Sequence, residues 1–266
     1  MGFVKSAAEI ERIQATLAAP RFVNAQVLAV TFLTRERIVE AILPPGFEAA
    51  EEPRVTIQLG RWQSNCCGDF SGGSVKLAAR FGGVDGDYPL SMYMDSDHAI
   101  TFGRDLFGEP KRAGEASLFR RPGGFTGFIE RGGVRLAELE LDAVEELGPT
   151  RGVANNFNIK ARPAADGIGL EEDALITCAT FETEARATVE GLASLSLRGS
   201  VHDPLDELEV VEVLGGRYVE ADVSAASRVV GSIPAADFLP YFYGRNGDDW
   251  SALDTSRRRS GPAAAD

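Results

Sequence analysis

Glycine pairs cut this chain into segments whose length suits strands. Gly82-Gly83, Gly123-Gly124, Gly132-Gly133 and Gly215-Gly216 recur along it. Such pairs mark hairpin turns, because glycine enters the positive-φ region without a Cβ clash. Between them Leu136, Leu139 and Leu141 stand among Glu138, Glu140 and Asp142, close to the alternation of a strand with one buried face. The pattern predicts strands over 26–33, 54–62, 75–81, 90–94, 99–102, 116–119, 125–130 and 134–141. Many strands at short spacing predict a mainly β (α+β) fold, an antiparallel sheet folded over or closed on itself. Helices are expected to be few. Ser6-x-x-Glu9 is a capping box, Ile10, Ile13 and Leu17 share one helical face, and Pro20 ends that helix. A second short helix is expected from Arg35 to Ile42, stopped by Pro44-Pro45.

Composition narrows the function classes. With 266 residues and 44% hydrophobic content, the chain can build one substantial core. It shows no internal repeat and no linker, so one domain is expected over 1–245, with 246–266 a polar, disordered tail. A net charge of −13 argues against a nucleic-acid surface, which needs a basic footprint. No apolar run approaches the ~18 residues of a membrane span, and FVKSAAEIERIQATL mixes charge with apolar residues, unlike a leader peptide. A cytoplasmic protein without membrane contact is expected. The adjacent pair Cys66-Cys67 and the distant Cys178 make no disulfide framework, so reduced thiols are expected. The two histidines, His98 and His202, lack partners at ligand spacing, so no metal is expected. No GxSxG elbow or phosphate-binding glycine loop occurs.

The chemistry concentrates in GRDLFGEPKR, from Gly103 to Arg112. The chain has only four lysines among its 27 lysines and arginines, and one of them is Lys111. A guanidinium stays protonated, whereas a neutral lysine amine attacks a ketone to form an imine. A neighbouring cation and dry surroundings both favour that neutral amine. Arg112 follows Lys111, and Phe102, Leu106 and Phe107 precede it. An isolated Pro-Lys-Arg is more often a solvated turn; the surrounding sequence changes those odds. Glu109 reads equally as a proton carrier or a solvated turn residue. An anionic substrate must be drawn into so acidic a chain by local positive charge, for which Lys111, Arg112 and Arg104 are candidates.

From Gly86 to Phe119 the chain reads GDYPLSMYMDSDHAITFGRDLFGEPKRAGEASLF. This resembles the core signature of the acetoacetate decarboxylase family: Gly-Asp-Tyr, Met-Tyr-acidic, Gly-Arg-acidic-Leu and Pro-Lys-basic. NNFNIKARP from Asn155 and HDPLDELEVVEVLGGRYVEADV from His202 resemble two further family blocks in the same order. The resemblance spans residues 20–245. It implies a cone-shaped barrel with Lys111 inside as the Schiff-base lysine, and Arg112 where the family carries a second lysine. Acetoacetate decarboxylase is itself the standing example of an amine activated by desolvation or a neighbouring cation. The resemblance further implies a small oxo-acid substrate, a homo-oligomer, and no cofactor, because the imine nitrogen takes the electrons. The residues themselves add further substrate-binding candidates to Gln58 and Arg104: Tyr88 and Tyr93 in the matched block, though most strand tyrosines simply pack, and Tyr241 and Tyr243 in LPYFYGR, placed to close the pocket from the C-terminal side. Three positions depart from the family. Ala25 stands where the decarboxylases carry an arginine, and Gly72 and Gln58 where they carry glutamates; an alignment shift would put Asp69 near the place of Gly72. These departures weigh against acetoacetate as substrate and leave open an aldolase–dehydratase using a pyruvate-type oxo acid and an aldehyde. A non-catalytic barrel that binds a small acid or serves as a scaffold is the alternative of another class.

Overall fold

The structure is a computed structural model that describes residues 2–246. Its elements follow in chain order. Helix α1 (Ala7–Ala18) leads to β1 (Arg21–Leu33), α2 (Glu36–Ile42), β2 (Phe47–Ala49), β3 (Arg54–Ser64), β4 (Gly68–Phe81) and β5 (Val84–Met94). Helix α3 (Asp97–Phe102) runs into a π-helical turn (Gly103–Phe107), followed by β6 (Lys111–Ala113), β7 (Glu115–Arg121), β8 (Gly124–Arg131) and β9 (Val134–Glu146). Then come β10 (Thr150–Lys160), β11 (Ala174–Leu197), a 3-10 turn (Leu205–Glu207), β12 (Glu212–Ile233) and α4 (Ala235–Asn246).

The mainly β reading holds. Strands β10, β5, β4, β3, β1, β12 and β11 pair in that order, and β10 also pairs β11, which closes a barrel of seven strands. The β10–β5 join is parallel, at Asn156 and Asp87, and the other joins are antiparallel. The far half of β11 leaves the barrel to pair β9. Strands β9, β8 and β7 form an outer sheet whose Ile129 lies against Gly73 of β4, while Gly127 lies against Leu59 of β3.

Strand pleat then sorts the side chains, because successive residues point to opposite faces. On β3 and β4 the odd positions Val55, Ile57, Leu59, Val75 and Leu77 are fully buried in the core shared with the outer sheet. Each such side chain contributes about 1.5–3 kcal/mol by leaving water. The even positions Gln58, Phe70, Gly72, Ser74 and Lys76 line the barrel interior. Strand β1 reaches the same interior with Phe22, Ala25 and Val27 because a bulge between Phe22 and Ala25 reverses its parity. Asn24 in that bulge has φ 51°, a conformation asparagine tolerates better than most residues.

The capping box forms: the Glu9 N–H donates to Ser6 Oγ and the Ser6 N–H to Glu9 Oε2 at 2.8 Å. Helix α1 nevertheless buries no residue fully; Ile10 and Ile13 stay 44% exposed and Leu17 packs only partly. Two expectations are corrected, and two strands are added. Residues 99–102 are helical, not a strand: Ser96 caps α3 by accepting from the Ala99 N–H, and so short an apolar run carries no decisive period. Gly215-Gly216 is not a turn. It lies within β12 at a bulge opposite Thr31 and Phe32, where a Cβ on Gly216 would stand 2.9 Å from Ala193 and Leu141. Strands β11 and β12, 24 and 22 residues long, escaped the pattern reading, because β11 alternates Glu182 and Glu184 with small residues rather than large apolar ones. The tail expected to be disordered lies outside the described residues beyond Asn246. No helix among the described residues is long and apolar enough to cross a membrane.

Candidate active site

The segment before Lys111 is shaped by two glycines. Gly108 ends the π-helical turn at φ 76° and lies so close to Lys160 that a Cβ there would sit 2.5 Å from its backbone nitrogen. Gly103 lies against Glu109 and Lys111, leaving no room for a Cβ, and its carbonyl accepts from the Glu109 N–H at 3.0 Å. The chain then enters β6, which pairs in parallel with β5 at Met92 and Lys111. Alternation along β6 sends Lys111 inward and Arg112 outward.

Lys111 is 6% exposed and lines a cavity of about 200 Å³ inside the barrel. Its Nζ stands 2.8 Å from Glu109 Oε2 and 5.7 Å from the centre of the Phe70 ring. The contact with Glu109 is close but not aligned as a hydrogen bond, so it is an ion pair. Strand β4 grades the lining from Phe70 through Gly72 and Ser74 to Lys76. Phe70 belongs to an aromatic group with Phe22 and Trp62, in which Trp62 stacks on Phe70 at 6.3 Å. Around the polar side stand Gln58, Ser74, Lys76, Glu109, Lys111 and Asn156. Ser74 and Asn156 are 1% and 3% exposed, and Ser74 Oγ and Asn156 Oδ1 have no hydrogen-bond partner among the described residues.

The sequence-based candidates separate cleanly. Lys111, Glu109 and Gln58 come together at the cavity, as do the departing positions Ala25 and Gly72. Asp69 is exposed and does not take the place of Gly72. Arg112 is redirected: its guanidinium donates to Asp203 Oδ1 at 2.9 Å and to the carbonyls of His202, Gly244 and Arg245. Asp203 also pairs with Arg131 at 2.7 Å and accepts from the Tyr93 hydroxyl at 2.9 Å. Burial, and then the Asp203 carboxylate, push the Tyr93 phenol far above its ordinary range.

Tyr88, Tyr93, Tyr241, Tyr243 and Arg104 do not line the cavity either. Tyr93 follows inward-facing Met92 and so faces out. Tyr88 faces out because a bulge, with Val75 opposite Ser91 and Lys76 opposite Pro89, reverses the parity of β5. It packs on Phe47 at 5.4 Å, under the Arg245 guanidinium at 4.9 Å. Tyr241 and Tyr243 sit on α4 beside Phe238 and Phe242. Arg104 is half-buried on the π-helical turn. His98 is exposed at the start of α3, where its Nδ1 meets Asp97 at 3.2 Å. Among the described residues, no group of three His, Cys, Asp or Glu side chains is placed to hold a metal ion.

The residue the sequence reading missed is Lys76. Its only sequence signal is a lone cation within the apolar run from Val75 to Ala79. Burial pushes its amine below the ordinary lysine range, against the opposing pull of Asp87 and Glu109.

Known proteins place this architecture. A family model described as acetoacetate decarboxylase (ADC) matches residues 10–232. The acetoacetate decarboxylase of Chromobacterium violaceum is 29% identical over 210 residues, which are 77% of this chain and 85% of that one. The crystal structure of acetoacetate decarboxylase from Legionella pneumophila superposes with a TM-score of 0.73 at 22% identity, covering 80% of this chain and 87% of that one. The enduracididine biosynthesis enzyme MppR, complexed with the condensation product of pyruvate and imidazole 4-carboxaldehyde, superposes with a TM-score of 0.68 at 16% identity, covering 79% and 88%. The chain belongs to the acetoacetate decarboxylase family.

Proposed function

We propose that this protein is a Schiff-base-forming carbon–carbon lyase acting on a small oxo acid. The observation that carries the reading is the placement of Lys111 Nζ, buried in the barrel cavity with Glu109 Oε2 at 2.8 Å. Glu109 takes a proton from the Lys111 ammonium. The neutral amine attacks the ketone carbon, and the carbinolamine loses water to give a protonated imine. The imine nitrogen then accepts the electron pair released when a bond to the neighbouring carbon breaks. In decarboxylation that bond leads to the carboxyl carbon, carbon dioxide departs, and the enamine is reprotonated on carbon. Water hydrolyses the imine and returns Lys111.

The lining favours a second reading of the same amine. Ala25, Gln58 and Gly72 leave three cavity positions uncharged where the decarboxylases carry an arginine and two glutamates. Losing a positioned acid or base typically costs ~10²–10⁴-fold in rate. An enamine made from a pyruvate-type acid attacks an aldehyde instead, and elimination of water follows. The pyruvate-derived condensation product bound by MppR is of that type.

Borohydride reduction with pyruvate or acetoacetate should fix one ligand on Lys111, seen as a peptide mass shift, and Lys111→Ala should lose it. An adduct that persists on another residue would overturn the assignment. Carbon dioxide release from acetoacetate should be poor beside condensation of pyruvate with an aldehyde; turnover matching a true decarboxylase would reverse that order.

A further inference from the structure

We infer that Lys76 is the carboxylate anchor of this cavity, the cation that holds the acid group of the substrate while Lys111 engages its carbonyl. The identity of the ligand as an oxo acid rests on the imine reading; the anion site does not.

Charge is the first argument. Three ionisable side chains line the cavity: Lys76, Glu109 and Lys111. Glu109 is paired with Lys111 at 2.8 Å, which leaves one cation over. Among the described residues the Lys76 ammonium makes no hydrogen bond and no ion pair. Asp87 of β5 and Glu109 act on it only from a distance. A partly buried ammonium without a close counter-ion is costly, and an arriving carboxylate relieves that cost.

Geometry is the second. Lys76 sits where β5 carries an extra residue, at the register shift from Val75–Ser91 to Lys76–Pro89. Bulges of this kind gather beside functional sites, and Lys76 itself keeps the inward parity of Gly72 and Ser74 along β4. Gly72 and Ser74, the preceding inward residues of β4, are small and leave space between Phe70 and Lys76. The unpartnered oxygens Ser74 Oγ and Asn156 Oδ1 share the cavity. Ser74 and Lys76 can donate together to one carboxylate, whose apolar remainder meets Phe70, Met92 and Met94. The three uncharged positions of the lining thus coexist with a cation placed elsewhere on the same wall.

The test uses propionate, which has a carboxylate and no ketone, and propionamide, its uncharged counterpart. Titration calorimetry compares the wild type with Lys76→Met and Lys76→Gln, both checked for fold by circular dichroism. Two replacements, one apolar and one polar, keep the test readable if either fails to fold. Propionate should bind the wild type in preference to propionamide. Its affinity should fall about 10- to 100-fold in the variants, the usual worth of a charge-assisted contact, with propionamide unchanged. Equal propionate affinity in wild type and variants, or no preference over the amide in the wild type, would overturn the inference. Borohydride trapping of pyruvate by the wild type is read separately. Its absence would remove the imine reading and leave a Lys76-dependent anion site standing.

Discussion

Lys111 and Arg112 are adjacent, buried and cationic, yet their surroundings differ in kind. Arg112 faces away from the cavity and its guanidinium meets Asp203 and three backbone carbonyls. Lys111 faces in, with one carboxylate beside it and a cavity before it. A buried charge whose hydrogen-bonding capacity is taken up by the protein holds chains together; one left partly unmet is available to a ligand. The Arg112 cluster joins β6, β8 and the segment before the 3-10 turn to the end of α4. The pair of Lys111 with Glu109 joins only residues of one turn.

The contrast breaks most visibly at Asp203. Replacing Asp203 with Asn leaves Arg112 and Arg131 without their carboxylate, and should lower stability by about 3–5 kcal/mol, measured by urea unfolding. A loss much smaller than this would show that the backbone carbonyls alone satisfy Arg112. Strand β4 offers the next test, because its two faces serve the two regions. Leu77→Ala opens the core beneath the outer sheet and should cost about 2–5 kcal/mol. Ser74→Ala, three residues earlier on the cavity face, removes no partner within the protein and should move stability by no more than ~0.5 kcal/mol. Similar losses at both sites would erase the distinction between the faces.

The smallest expected effect is a pH shift in anion binding. Lys76 is held below the ordinary lysine range by burial, with Asp87 on β5, Glu109, and Lys111 on β6 around it. A lowered pKa means that the cation is complete below that value and is lost as pH rises through it. Propionate binding should therefore weaken as pH rises, with its step at a lower pH than the ~10.4 of a free lysine. The same curve in Lys76→Gln should lose that step. A decline only in the ordinary lysine range would place the cation in a more solvated setting.

Much of this was readable from residue order. The capping box, three of the glycine-pair hairpins, most of the strands and the Lys111 segment follow from local rules, because pleat, turn conformation and end-capping act over a few residues. The family blocks likewise picked out the lysine that the barrel holds inside. What residue order did not determine was direction. Whether Tyr88, Arg112 or Lys76 faces the cavity depends on parity along a strand. Parity is reversed by the bulge in β1 after Phe22 and by the extra residue in β5 opposite Val75 and Lys76. A bulge forms where two strands must stay in register while the barrel curves, and that condition exists only once the strands have met. Sequence by itself therefore determined that this chain is a glycine-punctuated β fold of the acetoacetate decarboxylase family carrying a Pro-Lys-Arg block at Lys111. Only the closed barrel decided that Arg112 turns outward to Asp203 and that Lys76, a lone cation within an apolar stretch of β4, turns inward to share the cavity with Lys111.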